Sequence, residues 1–262
     1  PFRGPLFYAI TKLKNKILKK NIEVSVVIPA YNEEDLLPFT LNSLKNQDYK
    51  KNFEIIVCDN NSKDKTASIA KNMGAKVVIE KQKGTSYAYD TGMRAASGDL
   101  ILVTNADTLL PSNWISEIVK AYNSDSELVA VGTKVEFYNA PKWVNIMLKT
   151  LDLLNPVKAM WGVSMSCRRW AFYEVGGFQQ GINTNEDAIF TLKIKKYGHF
   201  KRLNNVTVQM DGRRFNNGFF NAIKAWTNGF GVNALSILFN YSIKGTIEGA
   251  IKNFEDFRVK KD

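Results

Sequence analysis

The chain has 262 residues, of which 45% are hydrophobic and 12% aromatic, so it can fill one large α/β domain and global disorder is excluded. Two cysteines, Cys58 and Cys167, are too few for a disulfide framework or a zinc cluster, and a reducing compartment is the default expectation. The net charge of +11 leaves an anionic membrane surface or a nucleic acid as partners to be weighed.

The basic charge is concentrated in residues 1–20, which carry six Lys or Arg side chains and no acid. Leu6, Ile10, Leu13 and Ile17 recur at helical spacing, which predicts a helix with one apolar and one basic face. Such a helix suits an anionic membrane surface, and packing of its apolar face on the domain is the alternative. Charges that alternate with apolar residues favour lipid over nucleic acid, so no nucleic-acid partner is expected.

Short apolar runs alternate with helical stretches in the first half of the remaining chain. The predicted strands are 24–28, which Pro29 stops, and 53–58, 75–79, 100–104 and 128–133. The predicted helices are 36–46, 66–72, 87–96 and 114–122. This alternation predicts βαβ units and a mostly parallel central sheet with flanking helices.

From about residue 134 the alternation stops. The sequence then predicts two short strands, 163–166 and 206–210, and two helices, 170–175 and 186–197. An uncharged run at 225–243 is diluted by polar side chains, so we predict no transmembrane segment.

The carboxyl ends of the predicted strands are polar, and ligands of open parallel sheets gather at that edge. These ends are 29–34, 59–64 and 105–108, and none contains a glycine-rich phosphate loop. A phosphate held there needs another counter-charge, for which a divalent cation on Asp107 is the natural choice. Asp107 and Asp59 can equally cap turns, although Asp59 can also accept hydrogen bonds from a nucleotide base.

Three further polar positions have a structural alternative. Arg94 can reach a phosphate, although a plain surface position is the commoner case. Glu186 and Asp187 open a predicted helix, where acids usually interact with the helix dipole. His199 is the only histidine, so a histidine-based triad is excluded unless this residue is itself the base.

The run 26–34, Val-Val-Ile-Pro-Ala-Tyr-Asn-Glu-Glu, resembles the opening of the family 2 glycosyltransferases, an inverting family with the GT-A fold. Further blocks follow in the family's order at 59–66, 84–99, 105–108, 168–178 and 185–187. The resemblance covers about residues 22–200. It implies a GT-A fold, which is Rossmann-like with a mostly parallel central sheet and flanking helices, here with terminal helices added.

The resemblance also implies domains and donor contacts. A GT-A domain would occupy 22–215, with a donor-binding half at 22–133 and an acceptor half at 134–215, between the helix 1–21 and a helical tail 216–262. The donor is expected to be a UDP- or GDP-linked sugar. The positions that match nucleoside contacts are Pro29, Ala30, Tyr31 and Glu33, with Asp59 for the base. Further predicted substrate-binding positions are Arg94, Asn105, Ala106 and Glu186.

The chemistry is implied by four positions. Asp107 matches the second acid of the family's Asp-x-Asp motif and would hold Mn²⁺ or Mg²⁺, and Asp187 matches the general base. Arg213 and Arg214 look like the basic pair of a mobile segment that closes over the diphosphate or meets an acceptor phosphate. Asn105 departs from the family pattern, because it replaces the first acid of Asp-x-Asp and thereby weakens the expectation of a metal.

The predicted function is therefore an inverting transfer of one sugar at a time, since the Gln-x-x-Arg-Trp block of processive synthases is absent. A polyprenyl-phosphate lipid or a glycan is the expected acceptor, at the cytoplasmic face of a membrane. The alternatives are a nucleotidyltransferase, a non-catalytic sugar-nucleotide sensor, and a basic module that binds nucleic acid or membrane.

Overall fold

The structure is a computed structural model that describes residues 23–154, 160–181 and 186–216. The predicted amino-terminal helix 1–21 and the run 225–243 lie outside these residues, as does the predicted tail 216–262 except for its first residue. No helix in the described ranges is both long enough and apolar enough to cross a membrane.

The first half of the described chain alternates between strands and helices, as predicted. Its strands are β1 (Val24–Ala30), β2 (Phe53–Asp59), β3 (Lys76–Ile79) and β4 (Leu100–Thr104). Its helices are α1 (Leu37–Lys45), α2 (Thr66–Asn72) and α3 (Thr85–Arg94). Helix α3 packs closely on β1, because a Cβ added at Gly92 would lie 2.6 Å from Cγ1 of Val27.

The second half is less regular and departs further from the prediction. Its strands are β5 (Thr108–Leu109), β6 (Leu128–Tyr138), β7 (Ser164–Arg168) and β8 (His199–Asp211). Its helices are α4 (Trp114–Ser124), α5 (Lys142–Leu154), α6 (Arg169–Glu174) and α7 (Glu186–Ile194), with short 3₁₀ turns at Lys195–Tyr197 and Arg213–Phe215. The sequence did not predict α5 or β5, and it made β8 much too short. The proposed boundary at 133/134 falls inside β6, so one strand contributes to both predicted halves.

The eight strands form one sheet in the order β3-β2-β1-β4-β7-β6-β8-β5. Strands β3, β2, β1 and β4 are mutually parallel, and β6 and β8 are also parallel to each other. Strand β7 is antiparallel to both β4 and β6, and β5 is antiparallel to β8. The predicted mostly parallel α/β sheet is confirmed, with antiparallel pairs where the βαβ alternation ends.

Pro29 was predicted to stop β1, but the strand continues to Ala30. The carbonyl of Ala30 accepts a hydrogen bond from the N–H of Asn60, so alternate residues of this end of β1 face β2. The backbone nitrogen of Pro29 points towards β4, and the pairing of β1 with β4 has already ended at Val27. The missing N–H of proline therefore costs no hydrogen bond of the sheet.

The hydrophobic core lies on both faces of this sheet. Trp114 of α4 is fully buried on one face, and Phe172 and Phe190 of α6 and α7 are buried on the other. Both cysteines are buried and unpaired. Packing on both faces holds the sheet rigidly and leaves its carboxyl edge as the place where polar groups collect.

Candidate active site

The carboxyl edge of the parallel strands brings the predicted donor residues together. Pro29 and Ala30 end β1, Asp59 ends β2, and Ala30 is paired with Asp59 in the register of the sheet. Asn105 follows the last residue of β4, the other neighbour of β1. Side chains that are far apart in the sequence therefore meet above three adjacent strand ends.

The loops after β1 and β2 are joined to each other by side-chain hydrogen bonds. Asn32 accepts from the N–H of Lys63 at 2.9 Å, and its own N–H donates to Oγ of Ser62 at 3.0 Å. The N–H of Glu34 donates to Oδ2 of Asp64 at 3.0 Å. Asn32 has a φ of +52°, a conformation that asparagine tolerates better than most residues. The polar residues of these loops thus fix the shape of the pocket.

Asp59 has one carboxylate oxygen committed to the loop and one that is not. Its Oδ2 accepts from the N–H of Ser62 at 3.2 Å. Its Oδ1 is buried and has no hydrogen-bond partner among the described residues. A buried acceptor is costly to leave unpaired, so this oxygen is suited to receive an N–H from a ligand. Nearby, Nζ of Lys83 lies 5.4 Å from the ring centroid of Tyr31.

Asp107 lies in the turn between β4 and β5, beside the end of β8. The carbonyl of Ala106 accepts from Oγ1 of Thr40 at 2.7 Å, which attaches this turn to α1. The N–H of Asp211 donates to the carbonyl of Asp107 at 2.9 Å. Both aspartates are almost fully buried. The backbones of the two aspartates are therefore joined, and both carboxylates are close enough to Arg213 to raise the pKa of its guanidinium. The carboxylate of Asp211 also accepts from the N–H of Arg213 at 2.9 Å and from Nδ2 of Asn139 at 3.2 Å.

Arg213 extends from the 3₁₀ turn after β8 to this acidic group. Its Nη2 donates to Oε2 of Glu33 at 2.7 Å, and its Nε lies 3.8 Å from Oδ1 of Asp211. Burial by itself lowers the pKa of the guanidinium, but Glu33, Asp107 and Asp211 raise it, so the group stays charged. Arg214 belongs to the same turn. Through Arg213, the predicted basic segment therefore contacts Glu33 in the loop after β1 and Asp211 at the end of β8.

The donor set at this point suits a hard divalent cation. Asp107 and Asp211 offer carboxylate oxygens, and Mg²⁺ or Mn²⁺ is commonly held by one or two carboxylates together with substrate phosphates. Within the described residues no group of three or more His, Cys, Asp or Glu side chains is placed to hold a metal ion. A cation held at Asp107 and Asp211 would therefore need further ligands, such as the oxygens of a diphosphate.

Asn105 is held by a tyrosine that the sequence did not single out. The hydroxyl of Tyr89 donates to Oδ1 of Asn105 at 3.0 Å, and Nδ2 of Asn105 lies 4.0 Å from the sulfur of Met210. A thioether is a weak acceptor, so the amide N–H groups remain able to donate to a ligand. At this position the chain therefore presents a hydrogen-bond donor where the family's motif has an acid.

Asp187 is held at the start of α7 by two backbone N–H groups. Gly162 donates to its Oδ2 and Ala188 to its Oδ1, both at 2.7 Å. Burial raises the pKa of this carboxyl, although the two hydrogen bonds partly oppose the shift. A Cβ added at Gly162 would lie 2.5 Å from the Tyr89 hydroxyl and 3.5 Å from Oδ2 of Asp187. The carboxylate is therefore next to the Tyr89–Asn105 pair, with a pKa shifted in the direction that a general base needs. Glu186, its neighbour, is the first residue of α7.

Arg94 and His199 lie away from this group. Arg94 ends α3, and its guanidinium binds Oδ2 of Asp90 at 2.7 Å and the carbonyl of Gly176 at 3.2 Å. The opposite end of this ten-residue helix, about 15 Å away, faces the strand ends. These contacts give Arg94 a structural role and do not support its predicted contact with phosphate. His199 begins β8, at the opposite end of that strand from Asp211.

Three residues of the site were missed by the sequence prediction: Tyr89, Gly162 and Asp211. Asp211 directly follows a predicted strand, so the rule that drew attention to Asp59 and Asp107 applies to it as well. Tyr89 lies in a helix of small residues and Gly162 in a turn, and neither carries a local signal of its role.

Comparisons with known proteins bear on the family and the fold of the chain. The sequence is 32% identical over 116 residues to the uncharacterized glycosyltransferase YfnE of Bacillus subtilis, which covers 42% of this chain and 30% of the relative. It is 33% identical over 118 residues to a dolichol-phosphate mannosyltransferase of Pyrococcus furiosus, which covers 43% of this chain and 33% of the relative. The chain thus covers only about a third of the length of each relative.

The fold is shared with solved structures. The mannosyltransferase PcManGT of Pyrobaculum calidifontis, solved in complex with GDP-Man and Mn²⁺, superimposes with a TM-score of 0.67 at 19% identity, over 98% of this chain and 82% of that one. The sequence profile described as "Glycosyl transferase family 2" matches residues 25–182, which is more than half of the 262 residues. With strand order, acidic strand ends and profile in agreement, the chain belongs to glycosyltransferase family 2.

Proposed function

We propose that the chain transfers one sugar at a time from a nucleoside-diphosphate sugar to an acceptor, with inversion at the anomeric carbon. The observation that carries this proposal is the convergence of four groups at one sheet edge. These are the unpaired Oδ1 of Asp59, the Asp107–Asp211 pair, Arg213 and the Asp187 carboxylate. Each group matches one part of a sugar nucleotide or of its reaction.

The donor would lie across the ends of β1, β2 and β4. Oδ1 of Asp59 would accept an N–H of the base, and both uracil and guanine offer one. Tyr31 and Glu33 follow β1 directly and would line the nucleoside. The similarity to PcManGT, whose title names GDP-Man, supports a sugar nucleotide as the donor.

The diphosphate would lie above Asp107 and Asp211. A divalent cation on these carboxylates would supply positive charge to the leaving nucleoside diphosphate. Arg213 carries the positive charge next to these carboxylates, and its ion pair with Glu33 supports a position for it between the nucleoside and the phosphates. Its fixed charge would stabilise the negative charge that develops as the sugar departs.

Asp187 would act as the general base. An acceptor hydroxyl that attacks the anomeric carbon must lose its proton, and the raised pKa of this half-buried carboxyl favours taking it. The N–H of Gly162 fixes the carboxylate beside the Tyr89–Asn105 pair. An acceptor that attacks through an already ionised phosphate oxygen would need no base.

The proposed acceptor and cellular location follow from a relative's name and from the amino-terminal sequence. The P. furiosus relative is named a dolichol-phosphate mannosyltransferase, which supports a polyprenyl-phosphate lipid as the acceptor. A glycan is the alternative acceptor. The basic, apolar segment 1–20 supports contact with the cytoplasmic face of a membrane. Flotation of the full chain with anionic vesicles, compared with a chain lacking residues 1–20, tests this contact, and equal flotation would contradict it.

The donor proposal is tested by a thermal-shift panel of UDP, GDP and their sugars, each with and without Mn²⁺. We expect one nucleotide series to stabilise the full chain, and Mn²⁺ to increase the shift. Transfer from the best donor to a polyprenyl phosphate or a glycan should then give a product with one added sugar of inverted configuration by NMR. Binding without turnover would instead favour a non-catalytic sensor, and a retained configuration would refute the single displacement.

A further inference from the structure

A cavity of about 240 Å³ lies between the second half of β6, helix α5 and the segment that leads into β7. We refer to it as the β6–α5 cavity. The lining residues that matter for its chemistry are Lys134 and Glu136 of β6, Leu148 and Lys149 of α5, Trp161, and Arg202 of β8. Its volume is below the roughly 300–1,000 Å³ of pockets for drug-sized ligands, so it suits a small group and not a whole glycan.

The described lining of the cavity is basic. Lys134, Lys149 and Arg202 are cationic, and Glu136 is the acid among the described lining residues. Lys134 and Lys149 are exposed, so their ammonium groups are free to turn towards a ligand. Leu148 and Trp161 add an apolar wall beside these charges. An anion with an apolar continuation matches this lining.

The walls of the cavity are fixed relative to each other. Both amide atoms of Asn145 in α5 bind the backbone of Phe137 in β6: Oδ1 accepts from its N–H and Nδ2 donates to its carbonyl, both at 2.8 Å. This double hydrogen bond sets the distance between α5 and β6. The cavity is therefore preorganised, which reduces the entropic cost of binding.

The cavity also lies next to the proposed reaction centre on two sides. Trp161 immediately precedes Gly162, whose N–H binds Oδ2 of Asp187 at 2.7 Å. Glu136 precedes Tyr138 by two residues, and burial together with the carboxylates of Asp211 and Asp107 raises the pKa of Tyr138. The cavity lining is thus adjacent along the chain to a residue that holds Asp187 and to a residue near Asp107 and Asp211.

We propose that the β6–α5 cavity binds a phosphate group of the acceptor, with Lys134, Lys149 and Arg202 as its counter-charges. The guanidinium of Arg202 contributes a fixed positive charge, and the two lysines act as mobile point charges. This inference rests on the proposed function, because it names the chemical class of the acceptor. A prenyl phosphate, a sugar phosphate and inorganic phosphate share this chemistry.

The test is calorimetric titration of the full chain, with its donor site saturated by the nucleoside diphosphate that stabilises it most. The probes are inorganic phosphate, glucose 6-phosphate, geranyl phosphate and, as the neutral match, geraniol. We expect the phosphates to bind saturably and geraniol to bind far more weakly. Tightest binding of geranyl phosphate would identify a lipid phosphate as the source, and tightest binding of glucose 6-phosphate a sugar phosphate.

The variants are Lys134→Ala, Lys149→Ala and the charge reversal Lys149→Glu, which alter exposed side chains and leave the core intact. Each alanine variant should weaken phosphate binding by about five- to tenfold, and the reversal should weaken it more. Lys120→Ala is the matched control, because Lys120 is an exposed lysine of α4 outside the cavity.

Equal phosphate affinity in the cavity variants and the control would overturn the inference, as would geraniol binding as tightly as geranyl phosphate. Failure of every nucleoside diphosphate to bind would count against the proposed function instead. In that case the phosphate titration of the same variants still decides whether the cavity is an anion site.

Discussion

Glu54 at one edge of the sheet and the pair Asp59 and Asp187 at the other edge have carboxyl groups in opposite states. At the amino edge, Oε1 of Glu54 accepts from the hydroxyls of Ser25 at 2.5 Å and Ser97 at 2.6 Å and from the N–H of Ser97 at 2.7 Å. Burial raises the pKa of Glu54, but these hydrogen bonds outweigh it and the net pKa is lowered. At the carboxyl edge, Oδ1 of Asp59 has no partner among the described residues, and burial leaves the pKa of Asp187 raised.

The number of hydrogen bonds that each carboxylate accepts within the protein distinguishes a structural group from a candidate ligand-binding group. A carboxylate whose hydrogen bonds are complete within the protein stabilises the fold, and its net pKa falls. A carboxylate that is buried without enough donors destabilises the fold until a ligand or a proton arrives. Single substitutions at either edge, together with the pH dependence of the reaction, test this contrast.

The largest effect is expected for Asp187→Asn, which removes the proposed base and keeps the size of the side chain. Transfer to a hydroxyl acceptor should fall by about 10²–10⁴-fold, because an amide cannot take the proton. The dissociation constant of the donor should stay the same by calorimetry. Weakening of donor binding in step with activity would show that Asp187 binds the donor and is not the base.

The acid limb of the pH–rate profile should report the same carboxyl. Protonation of Asp187 abolishes a base, and its raised pKa places this loss at a higher pH than the ordinary value of 3.8 for an aspartate. We expect kcat/KM to decline on acidification well before a solvent-exposed aspartate would be protonated. An unchanged rate down to pH 4 would remove Asp187 from the proton transfer.

At the amino edge, Glu54→Gln should lower stability and leave activity intact. Loss of a charged acceptor for Ser25 and Ser97 should cost about 1–3 kcal/mol in the free energy of unfolding, measured by urea denaturation. Because the folded pKa of Glu54 is lowered, its contribution is complete above its unfolded pKa and is lost as pH falls through the folded pKa. The difference in the free energy of unfolding between wild type and variant should therefore become smaller in acid. A changed donor KM would contradict a purely structural role for Glu54.

Asp59→Asn should weaken donor binding more than it changes stability. The amide keeps one acceptor but turns its N–H₂ towards either Ser62 or the base, so one favourable contact becomes a repulsive one. We expect the dissociation constant of the preferred nucleoside diphosphate to rise by about ten- to thirtyfold, the loss of one hydrogen bond to a charged group. An unchanged constant would mean that Oδ1 of Asp59 does not meet the base.

The smallest effect is expected for Asn105→Asp, which restores the first acid of the Asp-x-Asp motif. A third carboxylate beside Asp107 and Asp211 should lower the Mn²⁺ concentration needed for half-maximal donor binding by ~3–10-fold. The reason is that the number of carboxylates sets the affinity of oxygen sites for the cation. Tyr89 can donate to the new carboxylate as it does to the amide. A weaker requirement for Mn²⁺ would show that the amide donor of Asn105 matters more than metal binding.

The sequence predicted the elements whose signal is local. Strands β1 to β4 and the helices between them follow from short apolar runs alternating with helical periodicity, and α2 was predicted within its observed bounds. Helix α5 was missed although its apolar residues recur at helical spacing about as strongly as those of α4, so this signal was present in the sequence and was overlooked. Strand β8 was predicted too short, because its length depends on pairing with β6 along most of its residues.

The sequence by itself determined the α/β class, the acidic strand ends and the family, because apolar periodicity and ordered motif blocks are local properties of the chain. Only the tertiary structure decided which polar residues belong to the site. It brought Tyr89, Gly162 and Asp211 beside Asp187, Asn105 and Asp107, and it placed Arg94 at the far end of α3. The physical reason is that a carboxyl group becomes functional through what surrounds it, and its neighbours here come from strands and helices that meet only in the folded sheet.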